Sequence, residues 1–194
     1  MGGPKASLPF DDEPLLARVV RRLTPAVGLV AVVGSRTLAL PTLPSDVLHL
    51  VDGVEDEGPL EALAVGLEAL RDRASHAFVT ACDAPFVEPA FVRRLRALAE
   101  DDGAIPNVDG RAHPLAAVYA TRAAGRVRAL RDRGERRARS LIEVLRLRQV
   151  STEELLADEA LAGVDPTLRS LMNVNHPSDL EAALAMAARE ARSR

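Results

Sequence analysis

Residues 27–35 read VGLVAVVGS, an almost unbroken apolar run that ends at Gly34-Ser35. A run of this kind is typical of a strand that is buried on both faces, as in a parallel sheet. Two further short apolar runs, Val47 to Val51 and Ala77 to Ala81, each lead into an aspartate-containing turn. The three runs therefore predict neighbouring strands of one buried sheet.

Helical segments separate these strands. Apolar residues at helical spacing, with a proline in the first turn, predict helices over Pro14 to Leu23, Pro59 to Leu70 and Pro89 to Ala99. Further strands are predicted at 104–105 and 115–119, and further helices at 121–133, 141–145 and 179–192, the last capped by Ser178 or Asp179. The alternation predicts an α/β fold, namely a three-layer, open, mostly parallel sheet with helices on both faces. No interior linker is evident, so we expect a single domain over residues 1–194.

The composition excludes several classes of protein. The 194 residues carry a formal charge of −3, and 47% of them are hydrophobic and 27% charged, which is typical of a globular protein. An acidic balance argues against a nucleic-acid-coating protein. No apolar run approaches the roughly 20 residues that cross a bilayer, and the first residues lack a signal-peptide core. One cysteine allows no intrachain disulfide. We expect a cytoplasmic protein that binds neither nucleic acid nor membrane.

Three residues stand out as candidates for chemistry. Lys5 is the sole lysine among 25 basic residues, and it is either an ordinary surface residue or a cation for a phosphate group. Asp52 and Asp83 follow two predicted strands, at the carboxyl ends where ligands bind in open α/β sheets. Such carboxylates are natural ligands for phosphate-bound Mg²⁺, and they are also common turn residues. The arginine-rich stretch 126–139 is either a solvated helix face or an anion site.

Short motifs along the chain resemble, in order, those of the MobA-like nucleotidyltransferases, the molybdenum cofactor guanylyltransferases. The matching segments are Met1-Gly2-Gly3-Pro4-Lys5-Ala6, Gly58-Pro59-Leu60, Thr80-Ala81-Cys82-Asp83-Ala84-Pro85-Phe86, His113-Pro114-Leu115, Gly134-Glu135-Arg136-Arg137 and Asn173-Val174-Asn175-His176-Pro177. The first is similar to the second half of the family's nucleotide loop, L-A-G-G-x-S-x-R-M-G-x-P-K-A. Each motif is short, but the ordered set covers nearly the whole chain.

The resemblance implies a Rossmann-like nucleotidyltransferase that transfers GMP from GTP to the terminal phosphate of molybdopterin, with Mg²⁺ as cofactor and pyrophosphate as the leaving group. It implies that Lys5 and Asp83 are catalytic and that Asp83 holds the metal. The implied nucleotide-binding residues are Gly2, Gly3, Lys5, Gly34, Ser35, Asp52, Gly58 and Asp83, and the implied pterin-binding residues are Arg137, Asn173 and Asn175. The implied partners are GTP and molybdopterin, with molybdoenzymes or their chaperones as further candidates.

The present sequence departs from the family pattern at its start. The family begins with a buried strand and L-A-G-G-x-S-x-R, whereas this sequence begins at the methionine inside that motif. A missing central strand would expose apolar surface, at about 25 cal/mol per Å², and would leave backbone groups unpaired. We favour an internal methionine of a longer protein over a natural start that weakens GTP binding. Two alternative functions stay open, a molybdopterin cytidylyltransferase and a non-catalytic relative that binds the pterin or a molybdoenzyme.

Overall fold

A computed structural model describes residues 5–37, 39–52 and 58–192, with side chains described as far as Arg189. The strands are β1 (Pro9–Phe10), β2 (Glu13–Pro14), β3 (Ala31–Ser35), β4 (Leu48–Asp52), β5 (His76–Thr80), β6 (Gly103–Val108), β7 (Arg111–Ala112), β8 (Ala116–Ala120) and β9 (Leu147–Val150). The helices are α1 (Leu15–Leu23), α2 (Pro59–Leu70), α3 (Pro89–Ala97), α4 (Ala124–Asp132), α5 (Leu141–Val144), α6 (Thr152–Leu156), α7 (Glu159–Val164) and α8 (Pro177–Arg192). No helix within these residues is long and apolar enough to span a membrane.

The predicted α/β fold class is confirmed, with a mixed sheet rather than a mostly parallel one. Strands β3 and β4 pair in parallel, as do β6 and β9, whereas β5 and β8 pair antiparallel. The difference arises after β6, where the two-residue turn Asp109-Gly110 connects β6 to antiparallel β7. Both turn residues have positive φ, as the tightest hairpins require. The chain reverses there before it enters β8.

Strand β8 lies at the centre of the core, since all five of its residues are buried. Ala117 and Tyr119 belong to a cluster with helices α2, α4 and α5. Ala116 and Val118 belong to a different cluster, with helices α3, α6 and α7. Because successive side chains of a strand point to opposite faces, the two clusters lie on opposite sides of the sheet. Helices therefore cover both faces, as the sequence predicts.

The bounds of several elements differ from the prediction. The apolar run from Val27 forms a ladder with β4 only from Ala31, and that ladder continues through Gly34 and Ser35 instead of turning there. Helix α8 begins at Pro177, ahead of the predicted caps. Strand β9 and helices α6 and α7 were not predicted, because each is only four to six residues long, too short for a clear periodic pattern. The single-domain organisation stays a prediction.

Candidate functional site

The structure brings three sequence-distant polar residues together at the end of β5. The Lys5 ammonium donates to Asp83 Oδ2 at 2.8 Å and to Asn175 Oδ1 at 2.9 Å. Lys5 lies in a single 3₁₀ turn near the start of the chain, Asp83 follows β5, and Asn175 precedes α8. The Asp83 side chain is only 8% exposed, whereas that of Lys5 is 35% exposed. A buried carboxylate thus faces a cation that solvent and a ligand can reach.

A buried arginine of α1 contacts the loop that carries Asp83. Arg18 Nε donates to the carbonyl oxygen of Pro85 at 3.0 Å. Its guanidinium carbon also lies 4.6 Å from the ring centroid of Phe10, within cation–π range. Phe86 packs edge-on against Phe10, with ring centroids 5.9 Å apart. These contacts fix the backbone on the carboxyl-terminal side of Asp83.

The segment before α8 is attached to the same loop through the backbone. Val174 N–H donates to the carbonyl oxygen of Asp83 at 2.9 Å. Asp179, in the first turn of α8, accepts from the amides of Asn175 and His176 at 2.9 and 2.8 Å. The two amide hydrogen bonds, His176 first, lower the pKa of the Asp179 carboxyl. Asn175 is therefore positioned by main-chain contacts on both sides.

One atom of Asp83 is suited to a metal ion. Its Oδ1 is buried and has no hydrogen-bond partner among the described residues, while Oδ2 accepts from Lys5. A buried carboxylate oxygen without a partner is unfavourable unless a ligand satisfies it. Within the described residues no group of three or more histidine, cysteine, aspartate or glutamate side chains forms a metal cage. Mg²⁺ needs none, because it commonly takes one or two carboxylates together with substrate phosphates and water.

The residues expected to contact the base lie at the ends of β3 and β4. In the parallel ladder Gly34 is opposite Val51 and Ser35 is opposite Asp52. The Ser35 hydroxyl also lies 3.3 Å from the hydroxyl of Thr37. Ser7, in the turn that holds Lys5, donates to the carbonyl oxygen of residue 39 at 3.3 Å. The ends of β3 and β5 therefore lie on the same side of the molecule.

Gly58 connects the nucleotide side to the arginine-rich loop. It precedes α2 with φ +74° and ψ −176°, a conformation essentially restricted to glycine. A Cβ at this position would lie 2.9 Å from the carbonyl oxygen of Arg136. The close approach of the two backbones therefore requires glycine.

The loop at 135–137 is folded around one carboxylate. Glu135 accepts from the amides of Arg136 and Arg137 at 2.8 and 2.9 Å and from the hydroxyl of Ser140 at 2.7 Å. These hydrogen bonds, the Arg137 amide first, lower the pKa of Glu135 to about 2. The Arg137 side chain is 83% exposed, and its guanidinium pairs with the same carboxylate, with Nε 3.3 Å from Glu135 Oε1.

The structure brings some of the predicted site residues together and leaves others apart. Lys5, Asp83 and Asn175 form one cluster, and Asn173 lies exposed two residues before Asn175. Gly2 and Gly3 lie outside the described residues. Three supporting residues were not predicted as part of the site, namely Arg18, Glu135 and Asp179. An acidic residue in the first helical turn of α8 was the available signal for the last of these.

The lone cysteine is not suited to nucleophilic chemistry. Cys82 is half-buried beside Asp83, and burial, followed by the charge of Asp83, raises the pKa of its thiol. A reactive cysteine requires a lowered pKa, because the thiolate is the nucleophile.

Comparisons with known proteins match most of the chain. The model of the MobA-like NTP transferase domain family matches residues 1–152. A probable molybdenum cofactor guanylyltransferase of Mycobacterium tuberculosis (strain H37Rv) is 34% identical over 189 residues, which cover 95% of this chain and 87% of the relative. A relative of the same description from Methanothermobacter thermautotrophicus is 32% identical, with coverages of 93% and 90%. The molybdopterin-guanine dinucleotide biosynthesis protein A of Archaeoglobus fulgidus has the same fold, with a TM-score of 0.75, 24% identity and coverages of 97% and 92%.

Proposed function

Since this chain belongs to the MobA-like NTP transferase family, we propose that it transfers GMP from GTP to molybdopterin in molybdenum cofactor maturation. The terminal phosphate oxygen of molybdopterin attacks the α-phosphorus of GTP. The bond from that phosphorus to the bridging oxygen breaks, and pyrophosphate leaves. The observation that supports this proposal most directly is the cluster of Lys5, Asp83 and Asn175, which gives one cation and one buried carboxylate at a strand end.

Asp83 is the metal-binding residue in this proposal. Its Oδ1 has no hydrogen-bond partner among the described residues and is the atom that would coordinate the ion. When bound, Mg²⁺ would neutralise phosphate charge and stabilise the negative charge that builds up on pyrophosphate. Nucleotidyl transfer of this kind depends mainly on positioning and on charge stabilisation, so no covalent enzyme intermediate is required.

Lys5 provides the second positive charge. Its ammonium has three donors, of which Asp83 and Asn175 each use one. The side chain is partly exposed, so the third donor can reach a triphosphate oxygen. If a phosphate oxygen replaced Asn175 Oδ1 as an acceptor of the ammonium, the asparagine amide would become available to the second substrate. Lys5 would thereby connect the nucleotide and pterin sides of the site.

The remaining residues bind the ends of the two substrates. Gly34, Ser35 and Asp52 are assigned to the guanosine, because they end two adjacent parallel strands. Arg137, Asn173 and Asn175 are assigned to molybdopterin. A guanidinium suits a phosphate, and amide groups suit the donor and acceptor edge of a heterocycle.

The test is a comparison of D83N with D72N, which changes an exposed aspartate. Calorimetric titration with GTP and with CTP, each with and without Mg²⁺, is paired with an assay of pyrophosphate release in the presence of molybdopterin. D83N should lose Mg²⁺-dependent GTP binding and should reduce turnover by about 10²–10³-fold, whereas D72N should match the parent protein. Parent-like turnover in D83N would refute the metal assignment. Preferential binding of CTP would instead indicate a cytidylyltransferase.

A further inference from the structure

Two buried polar side chains lie in the connection between α7 and α8. Asp165 and Ser170 are each only 1% exposed. Asp165 accepts from the amides of Arg169 and Ser170 at 2.6 and 2.9 Å, and from the Ser170 hydroxyl at 2.7 Å. Burial of a carboxylate is costly unless hydrogen bonds satisfy it, and here each of its oxygens accepts at least one. The carboxylate therefore holds the Ser170 hydroxyl in one orientation.

The Ser170 hydroxyl also contacts residues 83–88, the Asp83 loop. A serine hydroxyl has one proton to donate and two lone pairs that accept. Its proton is donated to Asp165, and its oxygen accepts from the amide of Glu88 at 3.0 Å. Glu88 is the last residue before α3 and the far end of the Asp83 loop. Asp165 thus directs a lone pair of the serine toward that end of the loop.

Residues 170–175, the asparagine segment, contact the other end of the Asp83 loop as well. The Val174 amide donates to the Asp83 carbonyl oxygen at 2.9 Å. Val174 and Phe86 also belong to one apolar cluster with α8. The Asp83 loop and the asparagine segment are therefore held together by a hydrogen bond at each end and by apolar packing between.

The loop and the segment carry different halves of the proposed site. Asp83 is the residue proposed to bind the metal. Asn173 and Asn175, on either side of Val174, are proposed to bind the second substrate. Transfer between two bound substrates depends strongly on their placement, because a displacement of about 1 Å can lower the rate about 100-fold. A connection that keeps the two halves in register can therefore affect the reaction without touching either substrate.

We propose that Ser170, oriented by Asp165, is a positioning residue that keeps the Asp83 loop in register with the asparagine segment. It acts through the backbone of the loop and not by contact with a substrate. Its effect on turnover rests on the proposed function, whereas its effect on the backbone does not.

The experiment compares S170A with T121V in the full chain. Thr121 is also buried, and its hydroxyl donates to the Ala74 carbonyl oxygen at 2.6 Å, at the end of β5 away from Asp83. Each variant removes one buried hydroxyl hydrogen bond, so both should lower the melting temperature by about 2–8 °C. A further difference between the two variants then reports on the Asp83 loop and not on stability alone.

Amide hydrogen exchange at Val174 tests the positioning directly. S170A should speed exchange there by at least about 10-fold, because the asparagine segment loses one of its attachments to the loop, whereas T121V should match the parent. D165N should speed exchange as well. The double variant D165N/S170A should exchange no faster than D165N, because Asp165 acts through Ser170.

Binding of Mn²⁺ in the presence of GTP, followed by water-proton relaxation, tests the consequence at Asp83. Mn²⁺ is a suitable probe because carboxylate ligands suit it as they suit Mg²⁺. S170A should weaken this binding about 10-fold and should lower kcat for GMP transfer about 10-fold or more at saturating GTP and Mg²⁺. T121V should change neither.

Two results would overturn the proposal. One is equal exchange at Val174 in S170A and T121V. The other is faster exchange in S170A together with parent-like Mn²⁺ binding and kcat, which would leave Ser170 with a role in folding alone. A parent chain that neither binds Mn²⁺ with GTP nor transfers GMP would refute the proposed function, and faster exchange in S170A would then still support the positioning.

Discussion

The tight contact between Gly58 and the arginine-rich loop makes a quantitative prediction for G58A. The backbone at this position, with φ +74° and ψ −176°, is essentially inaccessible to residues with a side chain. The added Cβ would also lie 2.9 Å from the Arg136 carbonyl oxygen and 3.3 Å from the Arg136 Cβ. Substitution therefore combines backbone strain with a steric clash against main chain.

The free-energy costs of the backbone strain and of the steric clash each have a typical range. A residue held in a sparsely populated backbone conformation costs about 1–3 kcal/mol. Crowding against atoms that cannot move freely costs a similar amount, about 1–3 kcal/mol. We expect G58A to lower the free energy of unfolding by about 3 kcal/mol, which corresponds to a fall in melting temperature of about 6–12 °C.

The matched control is G110A in the turn between β6 and β7. Gly110 has φ +72°, close to that of Gly58, but no atom lies within 4 Å of the position that its Cβ would take. The control should cost only the left-handed strain, about 1–2 kcal/mol. Urea unfolding of the two variants and the parent gives both free energies. Equal losses for G58A and G110A would refute the argument that the Arg136 backbone requires glycine at residue 58.

Three further predictions concern residues around the site and the core. D102N should lower the free energy of unfolding at pH 7 by about 2 kcal/mol, because it weakens the buried pair with Arg126. The hydrogen bond from Arg126 lowers the pKa of Asp102, so the parent should lose stability below pH 4 as that carboxylate is protonated, and D102N should show a smaller loss. Urea unfolding at each pH measures both effects, and the exposed control D101N should show neither. R18A should lower the free energy of unfolding by about 2–3 kcal/mol and should reduce kcat/KM, because Arg18 holds the loop after Asp83. R21A removes an exposed ion pair and should lower the free energy of unfolding by at most about 1 kcal/mol, so equal melting temperatures for the two variants would contradict this prediction. E135Q should raise the KM for molybdopterin about 10-fold with little change in the KM for GTP, and unchanged kinetics would show that the loop tolerates the loss.

Much of the fold follows from local sequence pattern. Helix α2 begins at Pro59 and ends at Leu70, as its apolar spacing and amino-terminal proline predict. Strands β5 and β8 are short apolar runs, and their bounds differ from the prediction by one residue. By contrast β9 contains an arginine and a glutamine in four residues, and its backbone ladder with β6 defines it. Ser151 and Glu154 form a capping box, a local signal for the start of α6 that the prediction did not use.

The candidate site was less accessible from sequence. The aspartate after β5 and the lone lysine stand out by position and composition, and they do meet. The contact of Lys5 with Asn175 joins residues 170 positions apart, and no local pattern encodes it. The role of Glu135 depends on hydrogen bonds to neighbouring amides and becomes evident only with the backbone conformation in hand, whereas the acidic residue in the first turn of α8 already indicates a capping role for Asp179.

The link between Val174 and Asp83 has a consequence for biosynthesis. The amide of Val174 contacts the Asp83 carbonyl across nearly half of the chain, and Lys5 contacts Asn175 across 170 residues. Because a ribosome extends a chain from its amino end at about 5–20 residues per second, the first residue of the cluster waits roughly ten seconds or more for the last. Val174 and Asn175 are the last of these residues to be added, and they complete the cluster. A nascent chain that stalls before residue 173 lacks that closure, even though it already contains all the strands described here.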